Sequence, residues 1–380
     1  MKTYLLEPYK LFFPLGFLLG AWGILIWIFF IIWGIPYPGL IHSNLMIGGF
    51  LTSFTTGFLM TAVPRFTGSF HAEVYEIGIS VTSFLILFLF GSQSVLICAL
   101  SILFTHLNLL IFFLRRFLKR KVSLPETFIF IPLSLVISII GQVLIILSIL
   151  GWIDQSHYAL GRILGFSAFM LGLVLGVGSK LIPMFNGFGP VKARTRWITL
   201  LIPVLFFSSF FIQHFFSVSW GLFVRLISIL YVAIFNWSLC RRPLNPSRLS
   251  YGLWFSCWGI VIGSIGALFM PSALIHWSHI IYVLGFGLMT LMIGSRVILS
   301  HGGFDLSKEG EHIYMVFIII CLFFASLVRL SLHFFPQYLN ELILGSSFFW
   351  LLGLVFWWIH IGSKLFRKVE SVRNNHVRQS

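Results

Sequence analysis

The sequence predicts an all-α integral membrane protein, a bundle of about 12 transmembrane helices with both termini in the cytoplasm. Hydrophobic residues make up 58% of the chain and charged residues only 9%, with a mean hydropathy of +1.00, whereas about a quarter of the residues in soluble domains are charged. Apolar runs of about 20 residues, long enough to cross a bilayer, recur from Leu11 onward. The connections between them place most basic residues on one side of the membrane.

Each apolar run is predicted to be a helix, because a backbone in lipid has to satisfy its own hydrogen bonds. The first run is too long for the apolar core of a signal peptide, so we interpret it as a retained membrane helix. We expect one transmembrane domain over residues 1–364 and a basic cytoplasmic tail over residues 365–380. The predicted spans are 11–34, 41–63, 74–92, 94–114, 127–150, 158–182, 197–215, 219–239, 250–270, 276–299, 313–333 and 342–364.

The positive charges set the orientation. All but three of the 25 lysines and arginines fall at the cytoplasmic ends of these helices, as the positive-inside rule requires. The exceptions, Arg162, Arg225 and Arg329, lie a few residues inside the outer end of a helix. Either their side chains reach the lipid head groups, or they hold an anion, such as haem propionates, at the outer face.

Several other functions have little support in the sequence. The net charge of +15 is spread over short connections, which argues against nucleic-acid binding. The ten acidic residues all lie in connections or at helix ends, whereas ion-coupled transporters usually need a carboxylate within the membrane. The four cysteines stand singly in apolar segments, which is typical of buried small residues. No phosphate-binding loop or hydrolase triad is recognisable.

Histidine is frequent, with 12 copies, in a chain poor in polar side chains. Imidazole is the commonest metal ligand in proteins and a haem axial ligand, although a histidine at the head-group level is often only interfacial. His42 and His279 are the strongest candidates, because each begins a helix and is followed by Gly, Met and aromatic residues. Met46 shares a helix face with His42, as His276 does with His279. Six histidines map to the outer ends of helices: His42, His157, His214, His276, His279 and His333.

Two further histidines complete the candidate metal ligands. His106 lies near the middle of the fourth helix, where a ligand role and a hydrogen-bonded structural role are equally plausible, because an unpaired histidine is costly there. His301 ends the tenth helix and is followed by Gly302 and Gly303.

Two glycine-rich polar segments, residues 42–68 and 279–303, depart from a plain lipid-facing helix. Small residues let a second helix or a flat cofactor approach the backbone closely, and ordinary helix packing is the simpler of these two expectations. Each segment begins with a histidine and carries an arginine, Arg65 or Arg296, near its inner end. We therefore expect the second and tenth helices to be functional equivalents.

At these segments the sequence resembles the NnrS family of bacterial membrane proteins. The family's second helix carries H-x-H-E-M-x-x-G-F and then G-F-L-L-T-A-x-P-x-W-T-G, which His42, Met46, residues 49–50 and much of residues 57–68 match. In the tenth helix a histidine is followed seventeen residues later by an arginine and then by G-H-T-G, similar to His279, Arg296 and residues 301–303. Residues 178–185 are close to a third pattern, G-G-R-x-I-P-x-F.

This resemblance implies about twelve helices, bound haem and copper, and a link to nitric oxide stress. It implies His42, Met46 and His279 as haem or metal ligands, and Arg162, Arg225 or Arg329 would then be available to the haem propionates. The chain departs from the family patterns at several positions, among them the second His, the Glu, the Trp and the Arg, which are replaced by Asn44, Leu45, Phe66 and Lys180.

We therefore expect a haem- and copper-binding protein of the bacterial inner membrane that acts in nitric oxide or nitrosative stress and is redox-active toward a small diatomic gas. Its expected partners are membrane lipids, haem and nitric oxide. The sequence establishes neither enzymatic turnover nor a redox partner. Two alternatives stand beside this hypothesis: a carrier for a small molecule or metal that uses the second and tenth helices as moving elements, and a sensory or scaffold protein with a structural metal.

Overall fold

The computed structural model describes residues 2–189 and 196–367, which are almost entirely helical and contain no strand. Eleven helices in these ranges are long and apolar enough to cross a membrane. A twelfth apolar helix, Val74–Phe90, has 17 residues and is about 25 Å long at 1.5 Å per residue, close to the thickness of a bilayer core. The all-α, multi-pass architecture is thus confirmed. The cytoplasmic placement of the termini stays a prediction, and residues 368–380 of the predicted tail lie outside the described residues.

We number the twelve helices in chain order. Their bounds are α1 Tyr9–Trp33, α2 Gly39–Thr67, α3 Val74–Phe90, α4 Val95–Leu118, α5 Glu126–Ile149, α6 Ser156–Phe185, α7 Trp197–Phe215, α8 Val218–Phe235, α9 Arg248–Phe269, α10 Pro271–Gly302, α11 Leu306–Ser331 and α12 Pro336–Lys364.

Helices α2, α6 and α10 form the centre of the bundle. In their most apolar stretches 83%, 72% and 61% of the residues are buried, more than in any other of the eleven long helices. The other helices surround them: α1 packs on α2, α5 on α6, and α9 on α10. The two segments that the sequence singles out therefore lie in central helices and not at the lipid-facing periphery.

The three central helices share an irregularity. Each contains a π-helical segment, Asn44–Leu51 in α2, Ile163–Ala168 in α6 and Ile280–Gly287 in α10. A π turn accommodates one extra residue, so the helix on one side is rotated by about 100° relative to a continuous α-helix. Such turns are rare and are frequently found at functional sites.

The small residues of α2 serve helix packing. A Cβ atom on Gly49 would lie 3.2 Å from the Leu19 side chain, and one on Gly57 would lie 2.9 Å from Phe12, both on α1. Ser53 donates a hydrogen bond to the Phe12 carbonyl at 2.7 Å. At these positions the structure therefore shows close helix approach, the simpler of the two expectations, and not a surface that faces a cofactor.

A buried ion pair joins α3 to α4. The Arg116 guanidinium binds both carboxylate oxygens of Glu76, at 2.6 and 2.7 Å, and both side chains are fully buried. Just outside α3, a hydrogen bond from Arg115 at 2.6 Å holds the pKa of the Glu73 carboxyl below its usual value. These basic residues are therefore engaged in the structure and are not free cations.

Candidate cofactor site

A cavity of about 580 Å³ lies where α2, α6 and α10 begin, which we call the His42 end of the bundle. Its walls are mostly apolar and aromatic, with Trp27, Phe50 and Trp350 among them. No Asp or Glu is among the described residues that line it. Cofactor sites in proteins are typically cavities of about 300–1,000 Å³ with apolar walls and a few polar groups, and this cavity fits that description.

Two histidines line the cavity, and their imidazole rings are in the same tautomeric form. The Nδ1 atom of His42 is 2.7 Å from the Gly23 carbonyl oxygen, and that of His279 is 2.7 Å from the Ile275 carbonyl oxygen. A carbonyl only accepts, so Nδ1 carries the proton in both rings and Nε2 has a lone pair. The Nε2 atom of His279 accepts a hydrogen bond from Arg329 at 3.2 Å. A backbone carbonyl bound to the other ring nitrogen is the usual arrangement of a metal-ligating histidine.

The three exceptional arginines line the same cavity, together with Met46. Arg162 donates to the Ser43 hydroxyl at 2.6 Å, and Arg225 donates to the Gln213 amide oxygen at 2.6 Å. None of these arginines has a carboxylate within ion-pair distance among the described residues. The cavity therefore carries three positive charges that no acidic side chain balances.

The structure brings six of the predicted site residues together, and the binding roles of these six stay predictions. The convergent set is His42, Met46, Arg162, Arg225, His279 and Arg329.

The other predicted metal ligands are not among the lining residues of this cavity. The Nδ1 atom of His276 donates to the Arg329 carbonyl at 3.3 Å, and its ring lies 5.6 Å from that of His333. His301 is at the opposite end of α10, where its Nε2 atom accepts a hydrogen bond from Arg65 at 2.5 Å. Within the described ranges no three His, Cys, Asp or Glu side chains are grouped so that they could hold a metal ion.

His106 is fully buried on α4 and has the hydrogen-bonded environment that was one of its two expected roles. Ser138 donates to the Gly165 carbonyl at 3.0 Å, so its oxygen accepts from His106 Nδ1 at 2.8 Å. The Nε2 atom therefore has a lone pair, and it has no partner in the described part of the chain.

Sequence reasoning missed several residues of the site. Gln213 supports Arg225, and Tyr282 donates to or accepts from Ser167 at 2.6 Å on the cavity wall. Gln213 is an amide in a strongly apolar helix, which marks it as unusual in the sequence. Chemical type alone favours the adjacent His214 as the functional residue. The aromatic walls, such as Trp27 and Trp350, could not be distinguished from lipid-facing aromatic residues by sequence.

Comparison with known protein families shows to which family the chain belongs. A family model described as NnrS protein matches residues 3–368, nearly the whole chain. The chain belongs to the NnrS family. Family membership confirms the resemblance seen in the sequence and, with the eleven apolar helices, makes this a multi-pass membrane protein associated with nitric oxide stress. No curated protein matches the chain.

The NnrS patterns occupy both ends of the two central helices α2 and α10. His42 and His279 lie at the cavity, whereas Arg65 and Arg296 lie at the other end, which we call the Arg65 end. At 1.5 Å per residue, His42 and Arg65 are roughly 35 Å apart along α2. The position of the second His in the NnrS pattern is occupied here by Asn44, which is buried in the π-helical segment beside the Cys98 thiol.

Proposed function

We propose that this NnrS-family protein binds haem in the cavity at the His42 end and acts in the bacterial inner membrane in the response to nitric oxide or related nitrosative stress. The observation that carries the proposal is the set of three arginines without acidic partners and two histidines with Nε2 lone pairs around one apolar cavity.

The positive charges of the cavity arginines favour an anionic ligand. Arg225 is only 8% exposed, and an uncompensated buried charge costs several kcal/mol. The neutral partners Gln213 and Ser209 offset part of that cost, and a ligand carboxylate would offset more through charge-assisted hydrogen bonds. Haem presents two carboxylates on a large apolar ring, which matches both the arginines and the aromatic walls. The arginines would hold the carboxylates, and the walls would keep water away from the ring.

The histidines supply suitable donors for the iron. Their Nδ1–H groups are held by the Gly23 and Ile275 carbonyls, which fixes the ring orientation and makes Nε2 the ligating atom. At His279 the iron would take the place of the hydrogen bond from Arg329. Met46, next to them on the cavity wall, has a thioether that can also serve as a haem ligand. When bound, the haem iron would supply a binding site for a small diatomic gas, whose redox chemistry depends on the ligands and polarity of that site.

The proposal does not extend to copper, because the donor set does not fit. Asn44 and Leu45 replace a His and a Glu of the family pattern, and the described residues hold no group of three His, Cys, Asp or Glu side chains for a metal ion. Copper sites in proteins are usually built from imidazole and sulfur ligands, and the donors of this kind on the cavity wall, His42, Met46 and His279, are assigned here to the haem iron.

An optical spectrum with iron quantification tests the proposal. We expect the purified wild-type protein to show a Soret band and stoichiometric iron, and His279→Ala or His42→Ala to lose the band or shift it. His276→Ala is the matched control, because His276 lies one turn from His279 on α10 and does not line the cavity. Wild-type protein without a Soret band and without iron would refute the proposal. Flux of a small molecule into liposomes by such haem-free protein would favour the carrier alternative.

A further inference from the structure

A second cavity, of about 290 Å³, lies at the Arg65 end of the bundle. It is formed by the ends of α2, α6 and α10 together with Leu306 at the start of α11. Arg65, Arg296 and His301 are its ionisable lining residues among those described, and most of the remaining wall is apolar or aromatic. The length of α2 separates it from the first cavity, so it is a distinct site.

Arg65 keeps its positive charge uncompensated. Arginine only donates, so His301 Nε2 accepts the hydrogen bond from Arg65 at 2.5 Å, and the His301 proton is on Nδ1. That Nδ1 atom faces Glu7 at 4.0 Å, and Glu7 in turn pairs with Lys10 at 2.8 Å. The lysine therefore neutralises the carboxylate nearest to this group, and Arg65 itself has no ion-pair partner within the described ranges.

Two further cations lie on aromatic rings at this end. The Arg296 guanidinium is 4.4 Å from the centre of the Phe185 ring, and the Lys180 ammonium is 4.0 Å from that of Phe66. Neither cation has a carboxylate within ion-pair distance in the part of the chain that the structure describes. A ring contact leaves the N–H groups at the edge of a guanidinium free to bind a ligand.

The acidic residues nearby are engaged elsewhere. Asp305 accepts hydrogen bonds from the backbone and hydroxyl of Ser307 at 2.9 and 2.6 Å, and Glu309 pairs with Lys364 at 2.9 Å. The cavity therefore combines an excess of positive charge with apolar walls. It also has exposed residues at its mouth, among them Met184, which is 48% exposed.

We propose that this cavity binds the phosphate group of an anionic amphiphile, with Arg65 and Arg296 holding the phosphate oxygens and the apolar wall receiving the start of an acyl chain. Guanidinium groups match phosphate in geometry and form charge-assisted hydrogen bonds with it. Basic residues at the end of a membrane helix attract anionic lipids, and the apolar lining favours a lipid over free phosphate. This site is separate from the cavity proposed to bind haem.

Native mass spectrometry of the full-length protein tests this inference. The protein is titrated with phosphatidylglycerol or with phosphatidylcholine, and retained lipid is counted. We expect the wild type to retain one phosphatidylglycerol selectively, and Arg65→Gln with Arg296→Gln to weaken that binding by about tenfold or more. The single variant Arg296→Lys keeps the positive charge and is expected to retain part of the selective phosphatidylglycerol binding that the double variant loses. The matched control is Arg242→Gln, since Arg242 is exposed on the loop that binds Asn186 at the end of α6.

A second arm separates the two sources of phosphate. Thermal unfolding is measured in phosphatidylcholine nanodiscs with and without millimolar inorganic phosphate. Stabilisation by inorganic phosphate that is lost in the double variant would support the same site with free phosphate as its ligand. Equal retention of both lipids by the wild type with no effect of phosphate would overturn the inference, as would equal loss in Arg242→Gln. The Soret band of the double variant is expected to be unchanged, so this result is independent of the haem proposal.

Discussion

Two buried arginines in this protein have opposite surroundings, and replacing each by methionine tests whether the cavity is built for an anion. Arg116 binds both oxygens of the Glu76 carboxylate at 2.6 and 2.7 Å. Among the described residues Arg225 has only neutral partners, the Gln213 amide oxygen at 2.6 Å and the Ser209 hydroxyl at 3.2 Å. Only Arg225 lines the cavity at the His42 end.

The two substitutions should differ in their effect on the free energy of unfolding. Arg116→Met leaves Glu76 buried without its partner, and breaking a buried pair in this way costs about 3–5 kcal/mol. Arg225→Met removes the two charge-assisted hydrogen bonds to Gln213 and Ser209, worth about 1.5–3 kcal/mol each, and a contact with the Phe210 ring, 3.5 Å away, worth about 2 kcal/mol. It also removes a buried charge that costs several kcal/mol. These contributions oppose each other, so we expect a net change of less than about 2 kcal/mol.

Haem affinity should be reduced more by Arg225→Met than by Arg116→Met. Arg225→Met would remove one of the proposed contacts with a haem carboxylate, worth about 1.5–3 kcal/mol, which corresponds to roughly a 10- to 150-fold higher Kd. Arg116→Met leaves the cavity intact wherever the protein remains folded. The assays are thermal unfolding of haem-free protein in detergent and haem titration followed in the Soret region. If Arg225→Met unfolds as readily as Arg116→Met and binds haem like the wild type, Arg225 is structural and the charge argument is wrong.

The remaining predictions concern the helix packing and the π-helical segment that position the site. Gly141→Leu should lower the free energy of unfolding by at least about 1–3 kcal/mol, because a Cβ there meets the α6 backbone, whereas Gly78→Leu, with nothing within 4 Å, should be neutral in the same thermal assay. Ser138→Ala should cost about 1–3 kcal/mol in that assay, since it leaves the buried α4 imidazole without its acceptor; an unchanged melting temperature would contradict this. Deleting Leu284 should restore regular α-helix, turn His279 by about 100° and abolish the Soret band while circular dichroism retains the helix content.

The helices and the depth of the site were predictable because both follow from residue counts. An apolar run in lipid has to be helical, and a residue's position along a helix fixes its depth at 1.5 Å per residue. The sequence therefore predicts one level for Arg162, Arg225 and Arg329 together with His42 and His279, and in the structure these residues line one cavity. The direction of each side chain was not predictable in the same way, because an apolar helix in a membrane has no polar face to mark its inner side.

Helix α7 shows why the direction of a side chain matters. Gln213 and His214 are adjacent and lie at the same depth, but neighbouring residues on a helix point about 100° apart. Gln213 faces the cavity and binds Arg225, whereas His214 packs against Phe215 and is not among the lining residues. Chemical type favoured the histidine in the sequence, and only the rotation of the helix selects the glutamine.

The π-helical segments explain why the rotation could not be read from residue spacing. They begin at Asn44, Ile163 and Ile280, each within two residues of His42, Arg162 or His279. A helical wheel carried through such a segment places the residues beyond it about 100° from their true direction. A π turn is less stable than an α turn, and one of them could result from local packing. Three of them lie in the three most buried of the long helices, each next to a charged or imidazole side chain of the same cavity. This coincidence supports the proposal that the helices are adjusted to orient these side chains toward a common ligand.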